Sequence, residues 1–190
     1  MIHHTAIVNK KSKISENVEI GPYCTIGPDV ELGSNTKLHS HVNIVGNTKF
    51  GKNNEIFPFT SIGTEPQDLK YEGEKNSIII GDNNKFREYV NINPGTSQGG
   101  SVTKIGNNNL LMVYTHVAHD CDIGNNIVLA NNVQVGGHVS IHDNAIIGGS
   151  CAIHQFSRIG ELAMVGGMTG VLSDVIPFGL SLGNRNNLAG

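Results

Sequence analysis

"IGPYCTIGPDVELGSNTKL", residues 20–38, repeats one six-residue design three times: an aliphatic residue, a glycine, two turn-formers, a small or β-branched residue and a polar one. The aliphatic position extends without a break from Ile2 through Val8, Ile14, Ile20, Ile26, Leu32, Leu38, Ile44, Phe50 and Ile56 to Ile62. It returns at Ile80, Phe86 and Ile92, and again from Ile105 through Leu111, Val117, Ile123, Leu129, Val135, Ile141, Ile147, Ile153, Ile159 and Val165 to Val171. A period of six suits neither an α-helix nor a long strand. It suits short strands joined by tight corners, each turning one aliphatic side chain inward. The fold expected is therefore an all-β solenoid. Positions five and one should both face in, because positions five, six and one alternate across a strand. Cys24, Cys121 and Cys151 all stand at position five and are read as reduced core residues.

The chain has 190 residues, only 15% of them charged, and a net charge of −3. One domain is expected, with no broad footprint for nucleic acid. No apolar run approaches the roughly 18 residues of a membrane span. Together with a start that lacks a secretory apolar core, this predicts a cytoplasmic protein without a transmembrane segment. The 24 glycines and the many asparagines imply frequent corners, where both residue types tolerate left-handed backbone.

Two segments leave the frame, 63–79 ("GTEPQDLKYEGEKNSII") and 93–104 ("NPGTSQGGSVTK"). The repeats resemble those of the hexapeptide-repeat acyltransferases, in which three hexads make one coil; on that count Ile62, Ile92, Val117, Val135, Ile153 and Val171 fall on one face. That face also receives His119, His138 and His154, with His116 next to it. None of these histidines occupies an inward position, so core packing does not account for them. His142 belongs to another face, and His3 and His4 to the frayed start; all three are read as surface residues. Residues one coil apart stack, which places His119 under Gly137, Gly137 under Gln155 and Asp120 under His138. A histidine oriented by a carboxylate takes a proton near neutral pH, and an unobstructed glycine N–H stabilises an oxyanion. That is the equipment for direct acyl transfer to a hydroxyl. A catalytic metal needs three ligands converging at about 2 Å, and no metal is expected at these histidines.

The hexads resemble the left-handed parallel β-helix of the hexapeptide-repeat acyltransferases. "GTEPQDLKYEGE", "FREYVNI", "NNLLMVYTHVAHDCDIGNN", "GGHVSIHDNAIIGG" and "AIHQF" look more narrowly like the UDP-N-acetylglucosamine acyltransferases that open lipid A biosynthesis. This resemblance implies a β-helix domain over 1–183, with loops at 63–79 and 93–104, and a C-terminal stub at 184–190 in place of the family's helical domain. It implies His119 as general base toward the glucosamine 3-hydroxyl, Asp120 as its orienting carboxylate and Gly137 N–H as the oxyanion donor. Gln67, Asp68, Lys70, His116, His138, His154 and Gln155 are the implied contacts to UDP-N-acetylglucosamine or to an (R)-3-hydroxyacyl group. That group arrives on acyl carrier protein through phosphopantetheine, and no separate cofactor is expected. A homotrimer is implied, with sites between subunits. Gly167 is the implied acyl-chain ruler, about 13 Å along the axis from His119; a corner requiring positive φ is the plainer account of it. The sequence departs from the family pattern at Asn93, Pro94 and Arg185. It leaves open whether the acceptor carries a 3-hydroxyl or a 3-amine. A hexapeptide-repeat acyltransferase for another sugar nucleotide, a γ-carbonic-anhydrase-like metal enzyme and a non-catalytic scaffold are the alternatives on the same solenoid.

Overall fold

In the computed structural model, which describes residues 1–183 and the backbone of Asn187–Leu188, there is no helix among the described residues. Arg185 lies outside them. Strands of two to four residues stack into three sheets of nine, eight and ten strands, and the chain visits the three in rotation. The coils form a left-handed parallel β-helix. The register repeats from coil to coil, as in His116↔Gln134 and Gln134↔Ala152. Among the described residues the single antiparallel pairing joins Leu180–Leu182 to Asn187–Leu188.

Inside the prism the predicted frame holds. Ile26, Ile44, Ile62, Ile92, Leu111, Val117 and Val135 are fully buried at position one, with Cys24, Cys121 and Cys151 beside them at position five. Each such aliphatic side chain contributes about 1.5–3 kcal/mol by leaving water. At the solenoid's open start Ile2 is half exposed and joins the stack only through a bridge to Ile20. Position five also admits asparagine. Asn54, Asn84 and Asn109 are buried in a column where Asn84 Nδ2 donates to Asn54 Oδ1 at 3.1 Å and Asn109 N–H donates to Asn84 Oδ1 at 2.9 Å. Stacking of identical groups supplies the partners that burial demands.

The corners correct one expectation. Left-handed backbone falls mainly on position four, which is seldom glycine: Asn17, Tyr23, Asn35, His41, Asn53, Phe59, Asp120 and His138 all have φ near +60°. These residues stack down the corners, which offsets their conformational cost. One corner carries an asparagine ladder, with Asn35 donating to Asn53 at 3.1 Å and Asn53 to Asn83 at 3.0 Å. Another carries the rings of Phe59, Tyr89 and Tyr114, with centroids 5.1 and 4.8 Å apart. The third carries Asp120, His138 and Phe156. The position-two glycines serve a different need, close approach between coils. A Cβ on Gly21 would lie 2.6 Å from His39 O, and one on Gly136 would lie 2.8 Å from Gln155 N.

The excursions are shorter than the broken frame suggests. Strand pairing resumes at Ser77 and at Val102, so the loops run over 63–76 and 93–101. Ile78 is fully buried and Ile79 points out, so alternation restarts one dipeptide before the hexad does. Both loops leave from neighbouring strands of the nine-stranded sheet, since Ile62 pairs with Ile92. Asn93, buried, ties the two together by donating from Nδ2 to Thr64 O and Glu65 O.

Candidate active site

The strand His116–Val117 ends at a corner that points His119 outward under the first loop, while Asp120 curls back under the second. His119 Nδ1 lies 2.9 Å from Asp120 Oδ2, and the carboxylate is fully buried. The bond requires Nδ1–H to donate, so the lone pair of the neutral ring is at Nε2. Nε2 faces Asp68 of the first loop, 4.0 Å from its Oδ2. Both atoms are acceptors, so a ligand hydroxyl in this gap donates its one proton to either of them but not to both.

Gly137 stacks on His119 as the register predicts. A Cβ there would come within 2.6 Å of the imidazole Cε1 and 2.7 Å of Nε2, so only glycine leaves the ring in place. The Gly137 N–H donates to no acceptor among the described residues. Pro22, Pro28 and Pro58, which have no N–H, occupy the same hexad position, which shows that the ladder does not use it. Next to it His138 meets the edge of the His119 ring at a centroid distance of 5.0 Å and stacks on Phe156 at 4.4 Å.

The remaining predicted residues spread from this centre. His116 bonds through Nδ1 to Asn91 Oδ1 at 2.8 Å on the nine-stranded face. Burial holds it below the ordinary imidazole range, against the opposing pull of the Asn91 bond. His154 and Gln155 are exposed one coil beyond Gly137, with His154 Nδ1 turned to the Gln155 carbonyl at 3.0 Å. Gln67 and Lys70 are exposed on the first loop, where Lys70 Nζ reaches Gln98 of the second loop at 3.3 Å. Asn93 and Pro94 are buried beneath the loops, so that position presents nothing to the site. His142 is exposed on the eight-stranded sheet.

Gly167 is not brought to this corner. Its distance from His119 is not a whole number of coils, so it lies at the opposite edge of the nine-stranded face, beside Gly149. Its φ is not in the left-handed region, and its Cβ would meet Gly149 O at 3.4 Å and Gly149 N at 3.9 Å, which removes the positive-φ account of this glycine.

Sequence reading missed Thr96 and Phe156. Thr96 donates from N–H to Asp120 Oδ1 at 2.9 Å and from its hydroxyl to Oδ2 at 2.7 Å. It sits in a loop with no periodicity to betray it. Phe156 stands at position four of its hexad, directly after His138 in the corner column, and the stacking rule could have found it. His119, Asp120 and His138 are the one group of metal-ligand types that converges among the described residues, within 4.8 Å of one another. A cation there would have to displace the Thr96 or His119 donors from Oδ2.

Comparisons with known proteins agree with this geometry. The bacterial transferase hexapeptide family (six repeats) matches residues 11–46 and 103–137. A curated acyl-[acyl-carrier-protein]--UDP-N-acetylglucosamine O-acyltransferase of Thermodesulfovibrio yellowstonii is 51% identical over 130 residues, 68% of this chain and 50% of that protein. The chain thus spans about half the length of the curated relative it matches. Across its whole length it superposes on LpxA of Acinetobacter baumannii with a TM-score of 0.99 and 50% identity, covering 73% of that chain. It superposes on the Francisella novicida UDP-N-acetylglucosamine acyltransferase with a TM-score of 0.98 and 42% identity, covering 70% of that chain. The chain belongs to the UDP-N-acetylglucosamine acyltransferase family.

Proposed function

We propose that this protein transfers an (R)-3-hydroxyacyl group from acyl carrier protein to the glucosamine 3-hydroxyl of UDP-N-acetylglucosamine, the first step of lipid A biosynthesis. The observation that carries the reading is the His119–Asp120 pair, with His119 Nε2 open toward Asp68 and capped by Gly137. His119 Nε2 takes the hydroxyl proton as the oxygen attacks the thioester carbonyl. The Gly137 N–H holds the oxyanion of the tetrahedral intermediate. Its collapse forms the ester, breaks the carbon–sulfur bond and expels the phosphopantetheine thiolate, which recovers the proton from His119. Every step is a proton or acyl transfer, so no metal or separate cofactor is required.

Asp68, Gln67 and Lys70 on the first loop, with His116, His138, His154 and Gln155 on the coils, are the proposed contacts to sugar nucleotide and acyl donor. Gly167 ends the acyl path, which crosses the nine-stranded face diagonally past the small residues Ala152 and Gly170. The site is open along that face, which supports a homotrimer in which a neighbouring prism covers it; a cytoplasmic location is part of the same proposal. Residues 1–183 are the proposed β-helix acyltransferase unit.

The test is acyl transfer from 3-hydroxyacyl carrier protein to UDP-N-acetylglucosamine with mass detection of product, alongside the 3-amino analogue. O-acylated product supports the proposal. Product from the amine alone reassigns the acceptor, and no product from either sinks it.

A further inference from the structure

We infer that Thr96 is a positioning residue for the His119–Asp120 pair: it fixes the Asp120 carboxylate and draws off part of its charge, so the second loop sets how strongly His119 holds a proton. The inference rests on the acyl-transfer reading of this site.

The Asp120 side chain is wholly buried, and an ionised carboxylate so placed requires donors on its oxygens. Thr96 supplies two. Its N–H reaches Oδ1 at 2.9 Å and Oδ2 at 3.0 Å, and its hydroxyl reaches Oδ2 at 2.7 Å, the oxygen that also accepts from His119. Thr96 is itself buried, so water does not compete for these bonds. From below, Asp120 N–H donates to the buried hydroxyl of Thr103 at 2.9 Å, which fixes the left-handed backbone of the aspartate. Gly95 and Gly99 bring the loop against the carboxylate, since a Cβ on either would collide with Asp120.

The loop is built to present this one residue. Gly99 N–H and Ser101 N–H both donate to Thr96 O, at 3.0 and 2.8 Å, and the next residue, Ser97, donates its N–H to Glu74 of the first loop at 3.0 Å. The first loop also carries Asp68, so a single clip joins the two carboxylates that flank His119.

The sign of the effect follows from electrostatics. Each donor to Asp120 lowers the negative charge that stabilises the imidazolium of His119. The other titratable groups facing His119 are Asp68 from the first loop, His138 from the next coil and His116 from its own strand. His138 Nε2 also lies 3.9 Å from Asp120 Oδ2, the oxygen that accepts the Thr96 hydroxyl, so the His138 ring is followed beside that of His119.

The test is Thr96→Val, which keeps the shape and the N–H and removes the hydroxyl donor, with Thr96→Ser as the conservative rescue. In Thr96→Val the NMR titration curve of the His119 ring should move to higher pH, and the curve of Thr96→Ser should coincide with wild type. This measurement needs no turnover, so it separates the present inference from the proposed activity. In the acyl-transfer assay kcat should fall roughly tenfold or more with little change in KM for the sugar nucleotide, since the lost bond is to a charged group. Thermal melting checks that both variants fold. A folded Thr96→Val whose His119 curve is unmoved, or moved to lower pH, overturns the inference, as does a Thr96→Ser that behaves like Thr96→Val.

Discussion

Gly137 and His119 occupy the same column on consecutive coils, and the space a Gly137 Cβ would need is taken by the imidazole, 2.6 Å from Cε1. The glycine therefore does two things at once. It leaves room for the ring, and it exposes an N–H directly above it. Gly137→Ala keeps the N–H but must displace the ring, so kcat should fall by about 10² or more, as expected when a positioned base is moved by about 1 Å. Melting temperature should change little, because the crowding is relieved outward. Wild-type kcat in a folded Gly137→Ala would show that the ring position is immaterial.

His119→Ala should lower turnover by about 10² to 10⁴, the usual contribution of a positioned general base. The mutant should fold normally, since His119 contributes nothing to the core. His142→Ala, on the eight-stranded sheet, should retain wild-type rates. Initial rates of the two mutants measured side by side decide the matter; equal losses would remove His119 from its role.

The clip between the loops should outlast ordinary acidification. Glu74 is held at about 2, well below the ordinary glutamate value of 4.5, chiefly because it accepts the Ser97 N–H and then the Glu72 N–H. A depressed carboxylate contributes stability that is fully present above the unfolded value and is lost as pH falls through the folded one. The clip should therefore be intact at pH 5 and weaken only between 4.5 and about 2. Amide hydrogen exchange at Ser97 reads this directly. Protection should persist at pH 5 in the wild type and disappear in Glu74→Ala.

Burial pushes the Cys121 thiol up to about 12, and it raises Cys24 and Cys151 in the same direction. The thiolate is the reactive form, so none of the three should be alkylated in the native protein at pH 8. Mass spectrometry after iodoacetamide treatment should show unmodified native protein and three adducts after denaturation.

Gly167→Met should shift the preferred acyl donor to shorter chains with little loss of maximal rate on the best one. The backbone there is not left-handed and the nearest contact of a Cβ is an ordinary 3.4 Å, so the substitution carries no strain of its own. A uniform loss across all chain lengths would detach Gly167 from the acyl path.

Much of this molecule was legible as a string. A hexad with one inward aliphatic residue can be satisfied only by a solenoid, and regular coils convert sequence separation into stacking. Ile62, Ile92 and Val117 therefore fell on one sheet, and Gly137 landed over His119, as counting by threes requires. The corner of the candidate site, His119, Asp120 and His138, was readable for the same reason. What counting could not reach were the contacts made where the period lapses. Thr96 lies in an aperiodic loop, and its bonds to Asp120 exist only because that loop folds back over the corner. Asp68 reaches His119 by the same kind of return. Composition assigned the corner chemistry in part: asparagine bears positive φ as expected, together with stacked aromatic and histidine side chains, whereas the position-two glycines are kept for close approach of coils. Repetition makes near neighbours predictable from sequence alone; contacts closed by irregular loops depend on three-dimensional packing, and only the tertiary structure supplies them.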